Sequence, residues 1–304
     1  MRLSVILILT HFFLILPGYG SAHYLIDNGL ISAISEADSP ENDPLANDPP
    51  ENNPPKVGHS AMVWHWEDAF NSAEREKIEV WIQKVNKAAE KTLGVYPFAV
   101  HCHIYERAGS AEPVPWAHTW RYPEQSLHFY IDTKFTLDNF LDDWTAPHEI
   151  SHLSIPYLGE DNAWFAEGYA SFMQYQVMME LGIYSEEEVN QKYREKIKKI
   201  TSYYQSNKDL VTVARNLREG RKHSPMYWGG ASYFMTLNRI LEEKHETSLT
   251  SVVRTYQECC RLKDRSLKDV VKSWDEIIGI PLASLLLKDY QNEPAREMVG
   301  LYLK

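Results

Sequence analysis

The chain has 304 residues, 44% of them hydrophobic and 24% charged, enough for one or two compact domains with a sizeable core. Its formal net charge of -11 argues against nucleic-acid binding, which needs basic surface, and reads most simply as a solubility feature. Three cysteines, an odd number, exclude a disulfide scaffold; Cys102 can pair with Cys259 or Cys260, or all three can be small buried thiols.

At the N-terminus, Arg2 precedes an apolar run from Val5 to Leu16, followed by Pro17-Gly18 and the small residues Gly20-Ser21-Ala22. This is the layout of a secretory signal peptide over residues 1–22, so the protein is expected to be exported to a periplasm or the extracellular space. The run is short for a bilayer span, and Thr10 and His11 interrupt it; a membrane is a partner only if the segment stays uncleaved as an anchor. Residues 23–56 form a spacer. From Ser35 to Lys56 it is rich in Pro, Asn, Asp and Glu, has little to bury, and is expected to be disordered.

The folded part, 57–304, opens with a helix capped by Asn71 and Glu74, with Ile78, Trp81, Ile82 and Val85 at helical spacing and Gly94 at its end. Two strand-like runs follow, Phe98 to Tyr105 and Leu127 to Ile131, separated by a loop, GSAEPVPWAHTWRYPEQ. A short helix follows Thr136. The next is capped at Thr145, because Pro147 is tolerated only in a first turn, and Pro156 ends it. From there the pattern is nearly all helical: about Ala163 to Leu181, a helix after Ser185, about Met226 to Lys244, and further helices after Thr247, Ser266 and Pro281. The fold class is α+β, a small mixed sheet followed by a mainly helical half.

The helix after Thr145 reads TAPHEISHL. Residues four apart share a helix face, so His148 and His152 can converge on one cation while Glu149 lies beside them. A catalytic zinc takes three protein ligands and keeps one position open. Fifteen residues on, Glu167 sits among Trp164, Phe165, Tyr169, Phe172 and Met173, where a carboxylate is costly to bury without a partner. These residues predict Zn2+ held by His148, His152 and Glu167, with Glu149 as general base.

HEISH followed by WFAEGYASF resembles the gluzincin zinc peptidases, which include thermolysin-like proteases, the aminopeptidase N family and the glycyl aminopeptidase family. The likeness runs from about Leu127 to Leu285. It implies a thermolysin-like zincin domain, a peptide or protein substrate, and Glu167, in Ala166-Glu167-Gly168, as third ligand. A second segment, Tyr227-Trp228-Gly229-Gly230-Ala231, is similar to a Tyr-x-x-Gly-Ala stretch of the two aminopeptidase families, which implies that the Tyr227 hydroxyl stabilises the oxyanion. Tyr233 and His223 are weaker candidates for that task. Two departures stand out: Ala117 occupies the place of an upstream acid, which puts aminopeptidase specificity in doubt, and Ser171 that of an acid orienting a ligand. Trp116 and His118 are candidates to line the substrate cleft. Each imidazole needs an orienting acceptor, for which Asp142, Asp143, Glu160 and Asp161 all remain open.

Peptide hydrolysis is the expected activity. Three rivals remain: a non-catalytic zinc-binding or protein-interaction module on the same fold, a metal-free helical domain with a chance motif, and a zinc hydrolase acting on a non-peptide amide.

Overall fold

The computed structural model describes residues 60–303, together with the backbone of two short strands before them. Those strands, β1 (Ala22–Asp27) and β2 (Leu30–Ser35), pair antiparallel within the stretch read as spacer. The expected leader, Ala22 apart, and the rest of the spacer lie outside the described residues.

A four-stranded sheet forms one side of the molecule. Its strands are β3 (Met62–Trp66), β4 (Val100–Glu106), β5 (Trp116–Trp120) and β6 (Ser126–Ile131), in the spatial order β3-β4-β6-β5. β3, β4 and β6 run parallel and β5 pairs antiparallel with β6, so the sheet is mixed. One face is apolar: Val100, Cys102, Ile104, Leu127, Phe129 and Ile131 are fully or almost fully buried. Across that face lies α1 (Ser72–Leu93), whose Trp81 meets Phe129 edge-on, ring centroids 5.3 Å apart. The capping box of α1 is present as expected, with Asn71 Oδ1 accepting from the Glu74 N–H and Glu74 from the Asn71 N–H.

Two strands differ from expectation. β3 follows directly on the spacer and is half-buried throughout, so it shows no in-out alternation. β5 lies inside the stretch read as a loop. Five residues hemmed in by Pro113, Pro115 and Pro123 carry too little pattern to read as a strand, and an edge position tolerates such flanks.

The helices then follow in order. α2 (Leu137–Asp142) is capped by Thr136, and α3 (Thr145–His152) carries both motif histidines. Thr145 is the first helical residue and not the cap; Asp143 supplies the acceptor for its N–H at 2.8 Å. α4 (Ala163–Glu180), α5 (Glu186–Ile200) and α7 (His223–His245) match the expected helices, with α7 starting three residues early and holding Pro225 in its first turn. Between α5 and α7 stands α6 (Leu210–Glu219), an unexpected helix capped by Asp209. α8 (Leu249–Cys259), α9 (Leu267–Ile278), α10 (Leu282–Asn292) and α11 (Ala295–Met298) complete the helical half. Cys259 and Cys260 are bonded to each other at the end of α8, and Cys102 is a free, buried thiol, so neither neighbour pairs with it.

α4 and α7 cross at backbone contact. A Cβ on Gly168 would lie 2.3 Å from the Gly230 carbonyl carbon, and one on Gly230 would lie 1.9 Å from the Trp164 oxygen. Only two glycines facing each other allow this approach. The crossing sets Glu167, one residue before Gly168 on α4, and Tyr227, three residues before Gly230 on α7, on the side of α3.

Candidate functional site

α3 is a short helix, buried along almost its whole length, and its C-terminal carbonyls are held by side chains from four other places. Tyr96 donates to the Ile150 oxygen at 2.9 Å, Arg121 to the His152 oxygen at 2.6 Å, Arg261 to the Leu153 oxygen at 2.9 Å, and Gln257 to the Ser154 oxygen at 2.8 Å. The last carbonyls of a helix have no partner within it, and cations there also suit the helix dipole. This explains why Arg261, only 2% exposed, is buried at all. The orientation of His148, Glu149 and His152 is thereby fixed by the fold.

His148 and His152 are both buried, with ring centroids 4.9 Å apart. Glu167 faces both rings. Its Oε2 lies 3.2 Å from His148 Nε2 and 3.6 Å from His152 Nε2. On the far side of His148, Gln174 Oε1 stands 3.0 Å from Nδ1. A carbonyl oxygen accepts only, so Nδ1 of this ring carries a proton, and Nε2 is the nitrogen that faces Glu167. Gln174 lies seven residues beyond Glu167, two turns along the same face of α4. For His148 it takes the orienting role for which four acids were open. Asp143 is engaged with Thr145 and Glu160 with Arg218, and neither serves His148.

The electrostatics follow from that geometry. Burial works against a charge on His148, but Glu167, then Glu149 and Gln174, outweigh it, and its pKa is raised. Burial likewise works to raise the Glu167 pKa, but His152 and His148 outweigh it and hold the carboxyl far below the usual range. This carboxylate in an apolar helix is tolerable because it faces two imidazoles.

Glu149 turns its carboxylate towards the edge of the sheet. Thr119 Oγ1, on β5, lies 2.8 Å from Glu149 Oε2 and 3.1 Å from the Glu149 carbonyl oxygen. Thr119 was not among the expected residues; its place on an unrecognised strand hid it. Tyr227, in the second turn of α7, has its ring 6.0 Å from that of His148 and 6.4 Å from that of His223. The hydroxyl of Tyr233 is buried and donates to the Ala283 oxygen at 2.9 Å, away from this cluster.

Trp116 and His118 are not brought to the three-residue cluster. Strand alternation puts Ala117 and Thr119 on the face that meets α3, and Trp116 and His118 on the other. There Trp116 packs on Tyr130 and His118 on His128, with ring centroids 4.4 and 4.6 Å apart.

Zinc fits the donor set of His148, His152 and Glu167. Bond lengths of about 2.0–2.2 Å in a tetrahedron put ligand atoms about 3.4 Å apart, and the two histidine–glutamate separations bracket that value. All three ligand atoms lie within 4.8 Å of one another.

No protein-family model matches the sequence, and no curated protein matches it. Among solved structures the chain is similar to an M1 zinc metallopeptidase from Deinococcus radiodurans, at 11% identity and a TM-score of 0.47. A mutant M1 zinc metallopeptidase from that organism, bound to a Tyr-Ser-Ala substrate, gives 10% and 0.47, and a two-domain M1 mutant bound to L-arginine gives 10% and 0.45. Each comparison covers 75% of this chain and 47% of the other, so the chain spans about half the length of those proteins.

Proposed function

We propose that this protein is a zinc-dependent peptidase of the gluzincin type, with a thermolysin-like catalytic domain, exported by its N-terminal segment. The observation that carries the proposal is the convergence of His148 Nε2, His152 Nε2 and Glu167 Oε2 beside the carboxylate of Glu149. Three ligands leave a fourth position open, and a purely structural site has no use for Glu149. A zinc ion held there supplies Lewis acidity and makes a water molecule acidic enough to attack near neutral pH.

The remaining work falls to the chain. Glu149 takes the proton of the attacking water and passes it to the leaving amine. Thr119 holds that carboxylate at the mouth of the site. The Tyr227 hydroxyl donates to the substrate carbonyl oxygen as it gains charge. Gln174 keeps the His148 proton on Nδ1. Among the described residues β5 pairs only with β6, so its other backbone edge, along α3, can take an extended peptide as an added strand.

The test pairs metal content with cleavage of a peptide library. Glu149→Gln is expected to keep zinc and lose hydrolysis by roughly 10²–10⁴-fold. Full activity in that variant removes Glu149 from the mechanism. A wild-type protein that binds zinc and cleaves nothing supports the non-catalytic module instead. A folded protein that binds no zinc ends both readings.

A further inference from the structure

The face of the sheet turned away from α1 and α3 carries a row of imidazoles. His65, His103, His128 and His118 stand directly opposite one another across β3, β4, β6 and β5. Their rings stack nearly parallel, with centroids 4.2, 4.3 and 4.6 Å apart and interplanar angles of 6°, 5° and 7°. His101 joins from the next row, its Nδ1 3.0 Å from His65 Nε2. Five of the chain's 12 histidines therefore share one partly exposed face, although histidine is not a residue that strands favour.

We propose that the β3–β4 end of this row is a second metal site, formed by His65, Glu67 and His103, for a late first-row divalent cation such as Zn2+ or Cu2+. One ligand atom from each of the three lies within 4.8 Å of the others. Glu67 Oε1 is 2.6 Å from His103 Nδ1, so a carboxylate already sits at the imidazole edge. His101 is at hand as a fourth donor. Nitrogen-rich sets with one carboxylate select zinc and copper over magnesium and calcium, which prefer oxygen alone. The other end of the row is already engaged. His128 is 3.3 Å from the Tyr105 hydroxyl through Nδ1 and 3.1 Å from Ser126 Oγ through Nε2, so it supports the stack and leaves ligation to β3 and β4. This site lies across the sheet from His148, His152 and Glu167 and stands whether or not those residues bind zinc.

The experiment uses the full chain, stripped with a chelator, reloaded with Zn2+ at neutral pH, desalted, and counted by elemental analysis. Two zinc ions per chain are expected in the wild type. His103→Gln and Glu67→Gln are each expected to bind one fewer, with affinity for the lost ion at least ten-fold weaker by titration calorimetry. Glu167→Ala is expected to lose one ion independently. If Glu167→Ala changes nothing while His103→Gln and Glu67→Gln remove an ion, the second site stands and the peptidase proposal fails. Should His103→Gln fail to fold, as judged by circular dichroism, the exposed Glu67→Gln carries the comparison. Zinc content and affinity unchanged by the sheet variants overturn the proposal.

Discussion

Gln174 and Asp143 show how single side chains set the properties of the site and its supporting helix. Gln174 accepts from His148 Nδ1 in a buried setting, so removing it releases the ring to rotate and to exchange its proton between nitrogens. Gln174→Leu keeps similar volume and is expected to weaken zinc binding by about 10–100-fold, read from competition with a chelator of known affinity. Unchanged affinity sinks the orienting role. Asp143 supplies the acceptor at the start of α3. Burial outweighs its hydrogen bonds to Thr145 and pushes its carboxyl up from 3.8 to about 7. Between about pH 4 and 7 the folded state therefore keeps a proton that the unfolded state has lost, so stability falls as pH rises through that window. At about 1.4 kcal/mol per pKa unit the ceiling is ~4 kcal/mol, and a partly buried position reduces it to ~1–2 kcal/mol. Asp143→Asn keeps an acceptor for the Thr145 N–H and cannot ionise. Chemical denaturation at pH 5 and pH 8 is expected to show this slope in the wild type and a flatter one in the variant. Equal slopes would mean that Asp143 titrates normally.

Among elements, the α4–α7 crossing does most to assemble the site. Gly230→Ala puts a methyl 1.9 Å from the Trp164 oxygen, against backbone that cannot turn aside. The helices must then separate, carrying Glu167 and Tyr227 off α3. The expected cost is about 3 kcal/mol, the upper end of ordinary overpacking, measured by denaturant unfolding. Zinc affinity is expected to fall with it. A variant as stable as wild type would show that the crossing is not fixed by these glycines. The same crossing shows what could be read in the sequence. Glu167 and Tyr227 were legible because each sits in a short glycine-containing motif. The reason for the glycines was not, since it depends on two segments some sixty residues apart meeting face to face. α1 and α3 were legible because caps and prolines announce them. β5 and its Thr119 were not, because five residues between prolines carry no period. Gln174 stands two helical turns from Glu167, and only the packing of α4 on α3 shows that an amide, not an acid, meets His148. Trp116 and His118 are expected at the cleft, whereas on a strand they share the face opposite Ala117 and Thr119, the pair that meets α3.

On the scale of the whole molecule, the site lies where the sheet half meets the helical half. α3 is braced from both sides, by Thr119 and Arg121 near the sheet edge and by Gln257 and Arg261 around α8. A cation held by His148, His152 and Glu167 would join α3 to α4 and would be bound only when both helices are in place. Such a ligand stabilises the folded state by mass action, about 4 kcal/mol when free metal exceeds its dissociation constant a thousand-fold. For a domain of this size each kcal/mol moves the melting temperature by roughly 2–4 °C, so stripping the metal is expected to lower it by roughly 8–16 °C. Scanning calorimetry with and without chelator measures the shift. In Glu167→Ala the portion due to this site is expected to vanish, and any shift that remains there is expected to disappear when His103→Gln is added. A chelator-induced shift as large in Glu167→Ala as in the wild type would place the stabilising metal elsewhere and leave α3 and α4 held together by their packing alone.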